Sequence, residues 1–554
     1  MNRQLFEQNV LALSATDPRL CSRLSAAETT RQCYRFIRSR TGETLPALAD
    51  PSGAAHPLHS TVDPRREAER LTATLREEGY LVFLGLGGGF YAAAALEREE
   101  TCHVLVIDYN LNGMAELLSS LEYIPLFKDP RFHLLVDPTP STIEEYLLNT
   151  YKPVLHGGIR VFPLRARTEY DQDRFNAAGD ALKSSIDSVS RDYSVQAYFG
   201  KRWFSNIIRN LPMAEVPERP LAPVRRVLIA AAGPSLDLQL PRIREERTRN
   251  FLIAADTALS ALLNGGIEPD AVISIDCQHI SYQHFFSGFP EKTLLFLDLA
   301  SPPALAGRSK NPRFFSSCHP LSQYIRRQWR SLPFLDTSGA NVTYAALSLA
   351  ESLGAEQIRF YGADFSYPGG KTYARGTYLY PYFEKQQSRF KGLEALHSAF
   401  LYRSPSLRRC QNQDTPWYYE TQSLKFYRER LEEKAARSKA LLLNERGEGP
   451  GIDFPEARDG AAEGPGDSRF GGPERELSLF APGRPRGSAR EFLRAYREEL
   501  GALHSFSRES PAALTLLPVA AAVRREYPGS DIQGIFTGSR NWCLGALDRV
   551  LARI

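Results

Sequence analysis

Between residues 224 and 442 the chain alternates short β-rich runs with helical stretches, and this alternation constrains its fold more than any other feature. The runs are RRVLIAA, NFLIAAD, DAVISID, TLLFLDL, RFFSSC and QIRFYGAD. Such alternation is typical of a parallel, doubly wound sheet with helices on both faces. The sequence therefore predicts an α/β, Rossmann-like central domain over 224–442.

Small or polar residues stand at the end of each of these runs. They are Gly233, Asp256, Asp276, Asp298, Ser316 and Asp364. In open α/β sheets, ligands bind outside the carboxyl ends of the strands. We therefore expect the polar groups to converge on one binding edge.

The turn Gly233-Pro234-Ser235 opens the helix after the first run. Glycine permits close backbone approach, proline suits a first helical turn, and serine can cap exposed N–H groups. A helix N-terminus attracts anions. Asp256 follows at about the 20-residue spacing at which an acidic residue meets a ribose hydroxyl. Helix capping alone would explain the turn, but the neighbouring polar strand ends favour a nucleotide site.

The remaining chain divides by composition. Residues 1–65 carry no chemical motif and are predicted to form a cap segment, 66–200 a second Rossmann-like domain, and 201–223 a Pro-rich linker. Residues 443–488 are rich in Gly, Pro and charge, which favours a flexible linker. The spacing of apolar residues in 489–554 predicts a small α-helical domain.

The second Rossmann-like domain contains a glycine cluster, GLGGGF, with Asp108 about 20 residues beyond it. This is the outline of a dinucleotide or S-adenosylmethionine fingerprint, which would make the domain a dehydrogenase or methyltransferase. No further cofactor or catalytic motif follows. We therefore favour a structural Rossmann unit.

Composition excludes several classes of protein. The apolar fraction of 43% is that of a globular chain, and no run approaches the roughly 20 apolar residues of a membrane span. A net charge of +4 is too small to indicate nucleic-acid binding. The seven cysteines show no metal-ligand spacing. Without a recognisable leader, the expected location is the cytoplasm.

Four segments of the central domain resemble a known family. They are GPSLD, LIAADTAL, PDAVISID and DTSGANVTYAALSLAESLGAEQIRFYGADFSYPGGKTYARG. In order and spacing they are similar to bacterial sialyltransferases that use CMP-linked nonulosonic acids. The chain resembles still more closely the motility-associated factor family of flagellin glycosyltransferases.

The resemblance implies transfer of a nonulosonic acid, of pseudaminic or legionaminic type, from CMP to serine or threonine hydroxyls of flagellin. It implies no obligatory cofactor, and no metal site is expected because a DxD motif is absent. The implied donor-binding residues are Gly233, Pro234, Ser235, Asp256, Thr257, Asp276, Ser338 and Gly339.

The turn at Asp364 would carry a loop whose Tyr367 or Tyr373 donates a hydrogen bond to the leaving phosphate. Phenol donors placed there would stabilise the charge that develops as CMP departs. Further tyrosines crowd this loop, at 378, 380 and 382, so the cluster could instead pack a lid.

The general base is an open question. The similar sialyltransferases place a histidine just before a helix downstream of the tyrosine loop, whereas TPWYYETQSLKFYRERLEE has Trp417, Tyr418 and Tyr419 there. A tyrosine titrating near pH 10 is a poor base. His397, Asp276 or Asp364 could serve instead.

Two other functions are compatible with these features. A pterin pyrophosphokinase would bind ATP and need Mg²⁺. A non-catalytic flagellin-binding assembly factor would keep the fold without the chemistry, and the missing histidine is the feature that favours it.

Overall fold

The computed structural model describes residues 2–27, 33–49, 55–218, 220–412, 415–455, 480, 482–507 and 510–554. The chain forms two compact units. The N-terminal unit comprises Met1–Tyr198 and Tyr527–Ile532, and the C-terminal unit comprises Phe199–Glu526 and Gln533–Ile554. Within the described ranges, no helix is long and apolar enough to span a membrane.

The N-terminal unit contains two sheets. Its elements are α1 (Arg3–Ser14), α2 (Pro18–Ser25), β1 (Tyr34–Arg38), β2 (Thr44–Ala49), β3 (Ala55–Pro57), α3 (Pro64–Thr72), β4 (Tyr80–Leu84), α4 (Phe90–Leu96), β5 (His103–Asp108), α5 (Leu111–Ser120), α6 (Ile124–Lys128), β6 (Phe132–Val136), α7 (Pro140–Thr150), α8 (Pro153–His156), β7 (Ile159–Pro163), α9 (Arg165–Tyr170) and the first part of α10 (Gln172–Ala214). Strands β1, β2 and β3 are antiparallel. The larger sheet is parallel, in the order β6-β5-β4-β7.

The larger sheet has a Rossmann-like pattern, in agreement with the prediction for 66–200. Strands β4 and β5 are buried along their whole length, as expected for parallel strands covered on both faces. The predicted cap segment shares their core, because Leu13, Leu20 and Leu24 belong to the same apolar cluster as Phe83 and Val106.

The C-terminal unit is built on seven strands. After α10 its elements are β8 (Arg226–Ala230), α11 (Leu236–Glu246), β9 (Phe251–Ala255), α12 (Asp256–Asn264), β10 (Ala271–Ser274), a 3₁₀ helix (His279–Phe285), β11 (Leu294–Asp298), α13 (Pro303–Ala306), β12 (Pro312–Phe315), α14 (Pro320–Gln328), α15 (Val342–Ser352), β13 (Gln357–Tyr361), β14 (Tyr367–Pro368), α16 (Leu379–Glu384), α17 (Leu393–Leu401), β15 (Arg408–Asn412), β16 (Thr415–Glu420), α18 (Gln422–Ala435), β17 (Leu441–Asn444), α19 (Ala489–Ala502), α20 (Pro511–Thr515), α21 (Leu517–Glu526) and α22 (Ile532–Leu551).

The main sheet has the order β12-β11-β10-β9-β8-β13-β17, with every strand pair parallel. The predicted doubly wound α/β fold is therefore confirmed. Strands β9 to β12 follow one another on one side of β8, whereas β13 and β17 lie on the other. The strand order thus reverses between β8 and β13, and such a switch point is where these sheets bind ligands.

Six of the seven strands match the predicted runs, and β17 is the addition. It occupies Leu441–Asn444 and therefore crosses the predicted boundary between central domain and linker at 442/443. Much of the predicted linker, at 456–479, lies outside the described residues.

The predicted C-terminal helices are present. Helix α19 begins at a capping box between Ser488 and Glu491 and buries Leu493, Tyr496 and Leu500. Most of the segment 489–554 belongs to the same compact unit as the main sheet.

Candidate functional site

The turn after β8 is held by the turn after β13, across the switch point. The Gly233 N–H donates to the Gly362 carbonyl at 2.8 Å. The Ser235 N–H and hydroxyl donate to the two carboxylate oxygens of Asp364, at 2.8 and 2.5 Å. Ser235 and Asp364 are both buried. The two turns therefore form one hydrogen-bonded unit.

This arrangement changes the interpretation of Ser235. Its side chain makes no capping bond to α11, contrary to the capping expected from sequence, because its hydroxyl donates to Asp364 instead. Burial raises the pKa of Asp364, although the bonds from Ser235 oppose this. Both residues act within the protein as supports of the turn.

Gly233 is required by close packing between the two turns. A Cβ atom there would collide with the Asp364 carboxylate and the Gly362 carbonyl. Gly362 itself has φ +62° and faces the Ala231 carbonyl. The groups close to Gly233 are therefore the protein's own, a side-chain carboxylate and a backbone carbonyl.

The chain after β17 covers this unit. The Glu448 N–H donates to the Ser235 hydroxyl at 3.0 Å. A Cβ atom at Gly447 would collide with Ser235 and Asp364, and one at Gly449 with Ser366. The segment Gly447-Glu448-Gly449, at the start of the predicted linker, is therefore part of the site's framework.

Two aspartates stand at the next strand ends. Asp256 is 1% exposed and accepts hydrogen bonds from the Ser274 hydroxyl at 2.6 Å and the Thr257 N–H at 2.7 Å. Asp276 is half-buried and accepts from the Gln278 N–H at 3.0 Å. Burial raises the pKa of Asp276, and the neighbouring Asp256 charge adds to the rise, whereas the bond from Gln278 opposes it.

The polar residues at the ends of β11 and β12 make hydrogen bonds within the protein. Asp298 accepts from the Ala300 N–H at 2.8 Å, and burial raises its pKa to about 6. Ser316 accepts a hydrogen bond from the Ser322 hydroxyl at 3.2 Å. Both side chains are buried, so they stabilise the edge without presenting groups to a ligand.

The predicted tyrosine loop crosses the turn after β8. The Ala374 N–H donates to the Ala232 carbonyl at 3.0 Å, and the Arg375 N–H donates to Asp237 at 2.8 Å. These bonds place Tyr373 and Tyr378 over the strand ends, with ring centroids 6.5 Å apart.

Four tyrosines gather there, which we call the tyrosine cluster: Tyr367, Tyr373, Tyr378 and Tyr427. Burial raises the pKa of each phenol. The charge of Asp256 adds to the rise at Tyr373 and Tyr378, and that of Asp276 at Tyr378 and Tyr427. Three of the four phenols therefore lie near one or both aspartates, and all four stay protonated at neutral pH. Tyr427 was missed because it lies on α18, far along the sequence.

His284 was also missed. It lies in the 3₁₀ helix, with its ring edge-on to Tyr378 at a centroid distance of 4.6 Å. Nothing in the sequence HISYQHFF distinguishes it from its neighbours, because only the folded chain brings it beside the loop.

His397 lies among the helices beyond the loop. Its Nδ1 is 2.9 Å from the Thr372 hydroxyl, and its ring packs against Tyr380 and Phe383. Burial lowers its pKa. These contacts hold α16 and α17 onto the loop, which is a packing role.

Ser338 and Gly339 belong to a second polar group. Ser338 contacts Asp336 through its N–H at 3.0 Å and the Tyr344 phenol through its hydroxyl at 3.3 Å. Tyr344 donates to Asp336 at 2.6 Å, and Lys434 lies 3.8 Å from the same carboxylate. These residues line a small cavity beside α15 and α18.

The stretch that replaces the expected histidine forms part of β16. Tyr419 pairs with Tyr367 and Tyr418 with Pro368, so β16 fixes the start of the tyrosine loop. Trp417 receives the Arg409 guanidinium over its ring at 4.9 Å. These aromatic residues support Tyr367 structurally.

The glycine turn of the N-terminal unit is filled by the protein itself. The Gly88 N–H donates to His59 Nε2 at 2.9 Å, and burial lowers the pKa of His59 to about 4. Asp108 accepts from the Leu86 N–H at 2.8 Å and pairs with Arg167 at 2.9 Å, both side chains being buried. This agrees with the structural interpretation of the domain.

Within the described ranges, no three His, Cys, Asp or Glu side chains are grouped so as to hold a metal ion.

Comparison with known proteins gives a family-model match over part of the chain and a shared fold. Residues 202–370 match the family model "6-hydroxymethylpterin diphosphokinase MptE-like". The whole chain resembles the structure of the MAf glycosyltransferase from Magnetospirillum magneticum AMB-1. The TM-score is 0.61 and the identity 14%, over 99% of this chain and 91% of that one. The two proteins therefore share a fold.

Sequence relatives include uncharacterized proteins of Treponema pallidum (strain Nichols). One is 29% identical over 175 residues, which are 31% of this chain and 83% of that protein. A second is 39% identical over 129 residues, covering 22% of this chain and 45% of the relative. A third is 28% identical over 222 residues, covering 38% of each. The chain thus spans less than half the length of the second and third.

Proposed function

We propose that the protein is a glycosyltransferase that moves a nonulosonic acid from its CMP donor to serine or threonine hydroxyls of flagellin. The observation that carries the proposal is the tyrosine cluster, which lies near Asp256 and Asp276 at the ends of β9 and β10. The shared fold with a MAf glycosyltransferase supports the transferase class. The donor and the acceptor rest on the family resemblance of the sequence, and a cytoplasmic location is part of the same proposal.

The tyrosine cluster suits the departure of CMP. As the bond between sugar and phosphate breaks, negative charge develops on a phosphate oxygen, and preorganised donors lower the barrier. The raised pKa values of Tyr373 and Tyr378 keep their phenols protonated and able to donate. Hydroxyl groups in a buried setting can supply this stabilisation without a divalent ion.

Asp256 and Asp276 are suited to binding the ribose of the CMP donor. Asp256 is held by Ser274 and Thr257, so its orientation is fixed before a ligand arrives. The half-buried Asp276, at the end of the next strand, can accept hydrogen bonds from ribose hydroxyls. Gly233 and Pro234 would supply backbone surface to the nucleotide, and the bonds between Ser235 and Asp364 would keep that surface in place.

A nucleotide comparison tests the donor. We expect CMP to raise the melting temperature, whereas UDP, ATP and S-adenosylmethionine leave it unchanged, because a ligand stabilises only the state that binds it. At 100 times its Kd, CMP should add about 2.7 kcal/mol of stability. Stabilisation by UDP alone would contradict the assignment of the nucleotide.

A pterin diphosphokinase is the second candidate, since the matching family model carries that description. It would be indicated if ATP with Mg²⁺, and not CMP, raised the melting temperature.

Transfer is tested by co-expressing the chain with flagellin in a host that makes a CMP-nonulosonate. We expect a sugar-sized mass increase on flagellin, and Tyr373→Phe should lower the transfer rate about 100-fold through loss of one donor to the developing charge. The control is Tyr382→Phe, a tyrosine of the same loop region whose side chain is 46% exposed. An unmodified flagellin, with donor and folded protein both present, would refute the activity.

A further inference from the structure

His284 is a buried titratable group of the C-terminal unit that the chemistry above leaves unused. Its side chain is 8% exposed, and its Nδ1 is buried without a hydrogen-bond partner among the described residues. Leaving a buried polar group unpaired costs about 1–3 kcal/mol. A phenylalanine would fill the same space without that cost, so packing alone does not explain a histidine here.

The surroundings of His284 are those of the proposed reaction site. Its ring lies edge-on to Tyr378, a member of the tyrosine cluster, at 4.6 Å. The Ser260 hydroxyl donates to its backbone carbonyl at 3.0 Å and fixes the 3₁₀ helix against α12. Its positive charge would lie near enough to Asp276 to lower the pKa of that carboxyl.

We infer that His284 is the general base of the transfer. This inference rests on the proposed transferase function. It assigns the base to the end of β10 and the helix that follows, while the phenols of the crossing loop serve the leaving group.

Transfer of the sugar from CMP to the acceptor hydroxyl conserves atoms and charge. The acceptor hydroxyl gives its proton to Nε2 of His284, since Nδ1 is buried, and its oxygen forms a bond to the anomeric carbon of the sugar. The bond from that carbon to the phosphate oxygen breaks, and CMP leaves with the electron pair. The resulting imidazolium later returns its proton to water.

His397 is less suited to this task. Its Nδ1 is 2.9 Å from the Thr372 hydroxyl, and Tyr380 and Phe383 of α16 pack against its ring. Its Nε2, like Nδ1 of His284, has no hydrogen-bond partner among the described residues, but it lies away from the tyrosine cluster's contact with Asp256 and Asp276. The contacts of His397 are therefore those of a packing residue.

Two substitutions separate chemistry from packing. His284→Phe keeps an aromatic edge against Tyr378 but removes both nitrogens. His284→Ala opens space that added imidazole can enter. The control is His279→Ala, an exposed histidine of the same 3₁₀ helix. Transfer to flagellin is measured as CMP release, together with CMP binding and melting temperature.

We expect His284→Phe to bind CMP normally and to transfer about 10²–10⁴-fold more slowly, the range for loss of a general base. Imidazole should restore part of the rate of His284→Ala, and His279→Ala should match wild type. Wild-type transfer by His284→Phe would overturn the inference and leave the proposed function intact. A folded, CMP-binding His284→Ala that stays slow in imidazole would overturn it too. A wild-type protein that neither binds CMP nor transfers would overturn both.

Discussion

Replacing Asp364 by alanine is expected to lower the free energy of unfolding of the C-terminal unit by about 3 kcal/mol. The carboxylate accepts both hydrogen-bonding donors of Ser235 in a buried setting. Without it, a buried N–H and a buried hydroxyl lose their partner, and each such loss costs about 1–3 kcal/mol. That cost is a large share of the 5–15 kcal/mol by which domains are usually stable.

The measurement can be confined to this unit. All four tryptophans, at 203, 329, 417 and 542, lie within Phe199–Glu526 and Gln533–Ile554. Denaturant unfolding followed by tryptophan fluorescence therefore reports on the C-terminal unit. Asp364→Asn is the matched control, since one amide oxygen still accepts a bond, and it should cost about half as much.

The same substitution separates support from catalysis. If Asp364 only holds the turn, Asp364→Ala should weaken CMP binding while Asp364→Asn retains most of the binding and the transfer rate. An Asp364→Asn protein with normal stability and CMP affinity but no transfer would instead make Asp364 a catalytic group.

The sequence predicted the sheet because its signals are local. Each of β8 to β13 is a short apolar run bounded by turn residues, and parallel strands covered on both faces need such runs. Because parallel strands end at the same edge of a sheet, the sequence also predicted that the polar residues after β8, β9 and β10 lie at one edge. Strand β17 was missed because LLLN adjoins a stretch of Gly, Pro and charge.

The pairing of side chains at the site could not be predicted in the same way. Ser235 and Asp364 are far apart in the chain, and either could serve a ligand when considered alone. Their mutual bonding depends on β8 and β13 being neighbours, which is a property of strand order. His284 and Tyr427 depend equally on how the 3₁₀ helix and α18 pack.

The glycine turns illustrate the same limit. At Gly233 and at Gly87 the sequence correctly indicates a place where a backbone must be approached closely. The sequence does not identify the group that lies against each glycine. In the structure the Asp364 carboxylate fills the space at Gly233, and the His59 ring fills the space at Gly87.

The N-terminal unit contains a buried ion pair between Asp108 and Arg167. Burial raises the pKa of Asp108, and the charge of Arg167 opposes the rise. Both side chains are at most 2% exposed, and Arg167 also donates to the Tyr109 carbonyl at 2.7 Å. The pair closes the carboxyl end of β5 at the place where a cofactor ribose would bind in a dinucleotide site.

Arg167→Met should therefore destabilise the N-terminal unit by about 4 kcal/mol, because it leaves a buried carboxylate without its counter-charge. Asp108→Asn in the same chain should restore much of this loss, since the amide carries no charge and one oxygen can still accept from Leu86. Tryptophan fluorescence does not report on this unit, so the measurement is hydrogen exchange of the amides in β4 and β5. If Asp108 served a cofactor instead, S-adenosylmethionine or a dinucleotide would slow that exchange in the wild-type protein, and Arg167→Met would cost less than about 1 kcal/mol, as for an exposed pair. A structural pair predicts the opposite on both counts: a large loss in Arg167→Met and no response to either ligand.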